Sequence, residues 1–234
     1  MENGGILNQS HFTVGFLEIS SSILTTWLVM LLLTLISLVL TRSRFATSLN
    51  VRTVLESVVT AMRNSVSDVL PDHTELVFPF ISTLWVFILA ANLVGLIPGL
   101  SSPTSDLSVT TSLAILTFLS VHWFGIRAEG LKSYLGHYLK PSPFLLPFQL
   151  LSEVSRTIAL AVRLFGNIMS LEFTALLVVF IAGFLVPIPI LMLHIIEAVI
   201  QAYIFGILAL MYIAGGIQAQ VLRNEKEEKH ANDE

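Results

Sequence analysis

This chain of 234 residues is 54% hydrophobic and only 12% charged, and its formal net charge is −4. A soluble domain usually carries about 25% charged residues, so the composition predicts an integral membrane protein and argues against a soluble enzyme. The negative net charge argues against nucleic acid as a partner, and the lack of cysteine excludes disulfides, thiol chemistry and cysteine-based metal sites.

The first two predicted elements are a membrane span and a surface helix. Residues 1–16 lack a basic n-region, so the uncharged stretch 22–41 is predicted to be a retained span and not a signal peptide. In residues 45–70 the apolar side chains recur near one helical face and the charged ones lie mostly elsewhere. That pattern is typical of an amphipathic helix lying on the membrane surface.

Two further spans follow, at residues 76–98 and 107–124. Both are near the length of about 20 apolar residues that a helix needs to cross a membrane. Asp106 stands directly before the second of them, where an aspartate either caps the helix or lies at the entrance of an ion path. His122, near the end of that span, is interpreted as an interfacial histidine.

The last two apolar stretches, 143–184 and 186–222, are too long for ordinary spans, and a polar tail at 223–234 follows that we expect to be frayed. A continuous helix over the first would be about 60 Å long, twice the hydrocarbon thickness of ~30 Å. It must be broken or strongly tilted. The sequence therefore predicts an all-α membrane protein in one domain, with five membrane-embedded helices, a surface helix and a final hairpin of long, tilted helices.

The basic residues indicate an orientation. Ten of the 12 lysines and arginines fall between spans one and two, between spans three and four, or after span five, and none falls in the opposite segments. By the positive-inside rule, the N-terminus is predicted to lie outside and the C-terminus in the cytoplasm. The other two basic residues, Arg156 and Arg163, lie inside the fourth span.

Ionisable residues inside a membrane usually face protein or water and are functional candidates. The polar residues of the last two spans are Glu153, Arg156, Arg163, Asn167, Ser170, Glu172, His194, Glu197 and Gln201. Glu172 is nine residues beyond Arg163, so at about 100° per residue the two lie on nearly opposite faces and cannot form a simple ion pair. His194, Glu197 and Gln201 share one face of the fifth span.

An antiparallel hairpin would bring the two polar sets together. Glu172 would face His194 about a centre at residue 183, and Arg163 would face Gln201 about residue 182. The titratable cluster then lies toward the outside, with Arg163 further in and Glu153 nearest the cytoplasm. Because arginine stays charged and carboxylate and imidazole exchange protons, this order predicts an ion pathway with an electrostatic barrier.

Simpler interpretations stay open for individual residues. Glu153 and Arg156 are spaced for a local ion pair or for interfacial anchoring, and neighbouring backbone could satisfy Arg163. His194 and Glu197 lack a third ligand, so we predict no metal site and no cofactor. GIRAEGLK (125–132) lacks the lysine that follows the glycine in a phosphate loop, so no nucleotide site is predicted.

Four motifs resemble the bacterial a subunits of rotary F-type ATP synthases, and the similarity covers most of the chain. They are NLVGLIPG (92–99), PTSDLSVT (103–110), SRTIALAVRLFGNIMSLE (155–172) and IQAYIF (200–205). The resemblance implies a stator that is not an enzyme on its own. It would carry protons or Na⁺ through two offset half-channels to and from the carboxylates of a ring of c subunits.

The resemblance also implies roles for single residues. The family's essential arginine matches Arg163, which would keep the ring carboxylate deprotonated and block leakage between the half-channels. Asn167 and Gln201 match polar positions near it, and Glu172 and His194 match the pair in the outer half-channel. The implied setting is a bacterial inner membrane, with b subunits of the peripheral stalk and, indirectly, the F1 sector as further partners.

Three positions depart from the family pattern. Gln149 stands where a carboxylate is often found, and Glu153 is a candidate substitute in the inner half-channel. Thr157 replaces a common proline, and Glu197 is an additional acid one turn after His194.

Two other classes of function remain alternatives. The first is a self-contained secondary ion transporter or channel, against which stand the lack of internal repeats and the concentration of polar residues in one hairpin. The second is a structural membrane scaffold, which predicts that Arg163 can be replaced without consequence.

Overall fold

The computed structural model describes residues 12–14, 17–19, 21–42, 49–97, 100, 102–130, 146–182 and 187–232. Within these ranges five helices are long and apolar enough to cross a membrane, which confirms the predicted all-α membrane fold. The helices are α1 (Ser21–Arg42), α2 (Leu49–Val69), α3 (Thr74–Val94), α4 (Leu107–Glu129), α5 (Leu146–Ala182) and α6 (Pro187–Asn232).

A short β-hairpin precedes α1. Strand β1 (Phe12–Val14) pairs antiparallel with β2 (Leu17–Ile19), with Thr13 opposite Glu18. The sequence analysis did not predict this hairpin, because three-residue strands are too short to show a clear alternation of apolar and polar residues.

The amphipathic helix predicted over residues 45–70 corresponds to α2, and residues 45–48 lie outside the described ranges. Val66 is fully buried, as is Leu70 directly after the helix, and both belong to an apolar cluster with residues of α3 and α6. On the exposed face, the Arg52 Nε lies 2.7 Å from a carboxylate oxygen of Glu56. Helix α2 therefore packs through one edge and exposes the rest of its surface.

Helices α3 and α6 approach closely around Trp85. Its indole Nε1 donates a hydrogen bond of 3.2 Å to the carbonyl of Tyr203, and its ring stacks on the Tyr203 ring at 6.1 Å between centroids. Gly206 faces the indole, and a Cβ at this position would overlap the ring. Only glycine permits this approach, which fixes α6 against α3.

A short 3₁₀ helix, Pro103–Ser105, leads into α4. The Asp106 carboxylate accepts a hydrogen bond of 2.9 Å from the Ser108 N–H and caps the helix, one of the two interpretations that the sequence left open. Helix α4 continues to Glu129, five residues beyond the predicted end at 124, and stops at Gly130, whose φ of 89° is unfavourable for other residues.

The two long helices are continuous within the described residues. Helix α5 has 37 residues and α6 has 46, which correspond to about 55 Å and 69 Å. Because neither is broken, only strong tilting lets them fit a bilayer of ~30 Å. Pro187 and Pro189 lie in the first turn of α6, where proline does not disrupt a helix.

Helix α6 continues to Asn232, so the tail predicted to be frayed from residue 223 is helical over most of its length. The run of glutamate and lysine that suggested a solvated tail also has a high helix propensity. This corrects the expectation of a frayed end.

Candidate functional site in the α5–α6 hairpin

The buried stripe of α5 determines how its polar residues are exposed. Leu160, Leu164, Ile168 and Leu171 are buried at a spacing of three or four residues, which is one face of a helix. Beside the stripe, Arg163 is exposed, whereas Glu172 is half-buried. Arg163 and Glu172 therefore lie in different surroundings on the same helix.

Arg163 lies on the outer surface of the hairpin. None of the ion pairs or hydrogen bonds found among the described residues involves its guanidinium. The neighbours on this face, Ala159, Gly166 and Ser170, are small and exposed, and a Cβ built on Gly166 meets no atom within 4 Å. The alternative in which nearby backbone satisfies Arg163 finds no such contact in the described part of the chain.

One helical turn beyond Arg163, a hydrogen bond joins the two helices. The Asn167 Nδ2 donates to the Gln201 Oε1 at 2.7 Å. The hairpin is therefore antiparallel as predicted, but Gln201 pairs with Asn167 and not with Arg163, so the centre lies near residue 184. Gln201 is 2% exposed, and its Nε2 has no partner among the described residues.

Glu172 faces the loop between α3 and α4. Its Oε1 accepts a hydrogen bond of 3.1 Å from the Ser102 N–H, and the side chain of Ser105 interacts with the same carboxylate. Gly95 permits this contact, because a Cβ there would lie 2.9 Å from the Ser102 Cβ and 3.3 Å from the Glu172 Oε1. The loop between α3 and α4 thus holds the carboxylate.

A chain of buried hydroxyl groups continues from this contact. The Ser102 Oγ lies 2.7 Å from the Thr104 Oγ1 and donates to the carbonyl of Ala91 at 2.9 Å. The Thr104 Oγ1 donates in turn to the Asn92 Oδ1 at 2.6 Å. Asn92 is fully buried, and its Nδ2 has no partner within the described ranges. A polar path therefore crosses the bundle from α5 to α3.

His194 approaches Glu172 from α6. It is 3% exposed and interacts electrostatically with the Glu172 carboxylate, in agreement with the predicted pairing. Its Nε2 is buried without a hydrogen-bond partner in the part of the chain that the structure describes. Glu197, one turn further along α6, is half-buried.

A second group lies nearer the start of α5. The Glu153 Oε2 is 3.7 Å from the His122 Nε2 on α4, and both side chains are partly buried. The Arg156 guanidinium lies over the Tyr212 ring, 5.8 Å from its centroid. Glu153 thus contacts α4 and Arg156 contacts α6, so each ties α5 to a different helix.

The sequence analysis missed Ser102, Thr104 and Gly95. The run SSPTSD (101–106) could have indicated a hydrogen-bonding loop, because small polar residues around a proline between two spans are suited to hydrogen bonding. From the sequence, only Asp106 of this run is assigned a role, because nothing in the sequence links the loop to a residue 70 positions away.

The side chains gathered here are suited to proton exchange. A carboxylate, an imidazole and several hydroxyl and amide groups are held within a membrane-embedded bundle. Among the described residues, no group of three or more histidines and carboxylates is placed to hold a metal ion. The arrangement favours movement of small ions over covalent chemistry.

Comparison with known proteins identifies relatives of the whole chain. The family model described as ATP synthase A chain matches residues 23–214. The chain is 60% identical over 228 residues to ATP synthase subunit a of Legionella pneumophila (strain Paris), covering 97% of this chain and 99% of the relative. It is 54% identical over 222 residues to ATP synthase subunit a 2 of Pelobacter propionicus, covering 94% and 97%.

Proposed function

This chain belongs to the ATP synthase A chain family, and from that membership we propose that it is the stator that carries ions past a rotating ring of c subunits. Two offset half-channels take protons to and from the ring carboxylates, and ion flow is thereby coupled to ATP synthesis or hydrolysis. The chain does not itself hydrolyse ATP.

The exposure of Arg163 is the observation that carries this proposal. An arginine within a membrane is unfavourable by about 2.5–3.5 kcal/mol even on the mildest scales, and such residues usually pair within the protein. Arg163 is exposed and has no ion-pair partner among the described residues. We infer that its partner comes from another chain, and a carboxylate on a passing ring would serve as that partner.

The surface around Arg163 supports a moving partner. Ala159, Gly166 and Ser170 are exposed on the same side of α5. Small residues let helices approach closely and leave no protruding side chains to obstruct a sliding contact. A positive charge on this surface attracts each ring carboxylate and prevents a proton from passing directly between the half-channels.

We assign the outer half-channel to the polar group around Glu172 and His194. Glu197 and Gln201 extend it along α6, and Asn167 connects it to the turn that carries Arg163. The buried atoms without partners on His194 and Gln201 are suited to hydrogen-bond water along this route. Asp106 lies beside it at the start of α4, so its carboxylate is a candidate for the entrance as well as the cap of that helix.

We assign the inner half-channel to the end of α5 that holds Glu153. The contact with His122 supplies two groups that exchange protons, and Glu153 lies one helical turn after Gln149, which stands where the family often has a carboxylate. Arg156 stabilises this end through Tyr212. The inner group is separated from Arg163 by between two and three helical turns of α5.

The proposed setting is the inner membrane of a bacterium, with the N-terminus outside, the C-terminus in the cytoplasm and one membrane domain. Its proposed partners are the c-subunit ring, the b subunits of the peripheral stalk, the F1 sector indirectly and the lipid bilayer. Protons are the proposed coupling ion, because imidazole and carboxylate both exchange them readily. Stimulation of ATP hydrolysis by Na⁺, with protection of the ring carboxylate from modification, would instead indicate Na⁺.

The test is ATP-driven proton pumping by the complex reconstituted in vesicles with Arg163→Ala. We expect pumping to be abolished while the complex assembles in normal amounts, because the replaced guanidinium makes no hydrogen bond or ion pair with the described residues. Arg127→Ala, an exposed arginine at the end of α4, serves as the matched control and should pump normally.

Normal pumping by Arg163→Ala would contradict the proposal and favour a scaffold. The purified chain alone, reconstituted without the ring, should conduct no protons under an imposed gradient. Conduction by the chain alone would favour a self-contained transporter or channel.

A further inference from the structure

The imidazole of His122 on α4 contacts a different oxygen atom through each of its ring nitrogens. Its Nδ1 lies 3.0 Å from the carbonyl oxygen of Phe118, one turn earlier on the same helix. The Phe118 ring lies beside the imidazole, with 4.5 Å between the centroids. The Nε2 lies 3.7 Å from the Glu153 Oε2 on α5. One nitrogen therefore faces a backbone carbonyl and the other faces a carboxylate.

The carbonyl determines which nitrogen of the imidazole carries its hydrogen. A carbonyl oxygen can only accept a hydrogen bond, so the Nδ1 of His122 donates to it and is protonated. A neutral imidazole has one hydrogen on nitrogen, which leaves the Nε2 with a lone pair. That lone pair faces the carboxylate of Glu153, whose oxygen atoms carry lone pairs as well.

The contact between the Nε2 and the carboxylate is favourable only when a proton lies in it. Two atoms that both present lone pairs repel each other. One added proton makes an imidazolium–carboxylate pair, or an imidazole that accepts from a carboxylic acid. The separation of 3.7 Å exceeds the ~3 Å of a hydrogen bond, so a small side-chain movement closes it when the proton arrives. His122 and Glu153 together therefore take up one proton, and their shared negative charge is then neutralised.

The choice of histidine as the partner of Glu153 makes this proton exchangeable. The Arg156 guanidinium, nearly one turn after Glu153, lies over the Tyr212 ring, and the ion pair of Glu153 is formed with His122. Arginine keeps its proton in proteins, whereas imidazole gains and loses one readily. Both side chains of the His122–Glu153 pair are partly buried, so a proton held there is shielded but still reaches water.

We propose that His122 carries the proton through the inner half-channel on its Nε2, and that Glu153 holds it there. During ATP synthesis the O–H bond of a ring carboxyl group breaks, its electron pair stays on the oxygen, and the proton forms an N–H bond at the Nε2 lone pair. That N–H bond then breaks, its electron pair stays on the nitrogen, and cytoplasmic water accepts the proton as hydronium. ATP hydrolysis reverses both steps. This inference rests on the proposed function and names the residue that transfers the proton at its inner end.

The test compares two replacements of equal shape, His122→Gln and His122→Glu, in the complex reconstituted in vesicles. Glutamine cannot exchange a proton, so ATP-driven pumping should fall about tenfold, less than the roughly hundredfold typical of losing a proton-transfer group, because Glu153 remains. His122→Glu sets a carboxyl group against Glu153, and two facing carboxyl groups share one proton. This variant should therefore pump about fivefold faster than His122→Gln.

His73→Gln is the matched control, because His73 is also partly exposed but lies at the start of α3, and it should pump like wild type. Equal pumping by His122→Gln and His122→Glu would indicate a packing role and overturn the proposal, as would wild-type pumping by His122→Gln. Glu153→Gln removes the exchanging partner from α5 and replaces His122→Gln if that variant does not assemble. Wild-type pumping by Glu153→Gln would also overturn the proposal.

Arg163→Ala tests the proposed function separately. If Arg163→Ala abolishes pumping while His122→Gln pumps normally, only the role of His122 fails. If Arg163→Ala pumps normally, the proposed function itself fails, whatever the result for His122.

Discussion

Two charged residues of α5, Glu172 and Arg163, contrast in how the chain accommodates them. Glu172 accepts a hydrogen bond from the Ser102 N–H of the loop and lies near the buried His194 of α6, and a chain of hydroxyl groups extends its surroundings to α3. Arg163, nine residues earlier, is exposed among small residues and pairs with nothing in the described part of the chain.

This difference indicates which interactions are internal and which need another subunit. A polar group satisfied within the fold contributes to the stability of the chain, so its removal affects folding as well as transport. A group with no internal partner contributes little to that stability and acts through what it meets in the complex. Variants in the surroundings of Glu172 should therefore affect the stability of the isolated chain, whereas variants around Arg163 should affect only transport by the complex.

After the loss of pumping expected for Arg163→Ala, the largest effect should come from Glu172→Gln. The amide keeps an acceptor for the Ser102 N–H but cannot exchange a proton, so the loss should fall on transport and not on folding. Removing a proton-transfer group typically costs about a hundredfold or more. Proton uptake from the outer side of reconstituted vesicles measures this rate.

Glu56→Gln is the control for this variant, because it also neutralises a carboxylate but lies on the exposed face of α2. Its transport should equal that of wild type. If Glu172→Gln carried protons at the wild-type rate at every pH, Glu172 would have no place in the pathway.

Two glycine variants test the surroundings of Glu172 and of Arg163 separately. Gly95→Ala should lower the free energy of unfolding of the isolated chain by about 2 kcal/mol, because the new Cβ crowds Ser102 and Glu172. Gly166→Ala meets no atom within 4 Å, so it should not lower that free energy and should raise it by up to about 1 kcal/mol, because alanine has the higher helix propensity. Unfolding in mixed detergent micelles provides the measurement.

Gly166→Ala should behave differently in the assembled complex than in the isolated chain. If the surface of Arg163 contacts a ring, Gly166→Ala should slow ATP-driven pumping although the isolated chain is not destabilised. A stable Gly95→Ala chain with wild-type transport would show that the loop does not position Glu172.

The smallest effect should follow from Thr104→Val, which keeps the shape of the side chain but removes the buried hydrogen bond to the Asn92 Oδ1 and the 2.7 Å contact with the Ser102 Oγ. The Asn92 Oδ1 then loses its donor, and the expected cost is about 1 kcal/mol of unfolding free energy. Thr174→Val is the control, because that hydroxyl is exposed and bonds only to its own helix. An equal cost for both variants would indicate that the buried chain of hydroxyls adds nothing specific.

Much of this architecture was predictable because it depends on local patterns. A continuous apolar stretch determines a span, and helical periodicity alone separated Arg163 from Glu172 and grouped His194 with Gln201. The excess length of the last two spans predicted the tilted hairpin. The roles of Arg163, Glu172, His194, Glu197, Gln201 and Asn167 in ion transport stay predictions that the variants above test.

Only the tertiary structure decided the partners of these residues. The contact of Glu172 with Ser102 joins positions 70 residues apart, Glu153 contacts His122 of another helix, and Gln201 pairs with Asn167 one turn beyond the expected Arg163. Periodicity determines which face of a helix a residue occupies. Which neighbour that face meets depends on how distant helices pack, here on the close approach that Gly95 and Gly206 permit.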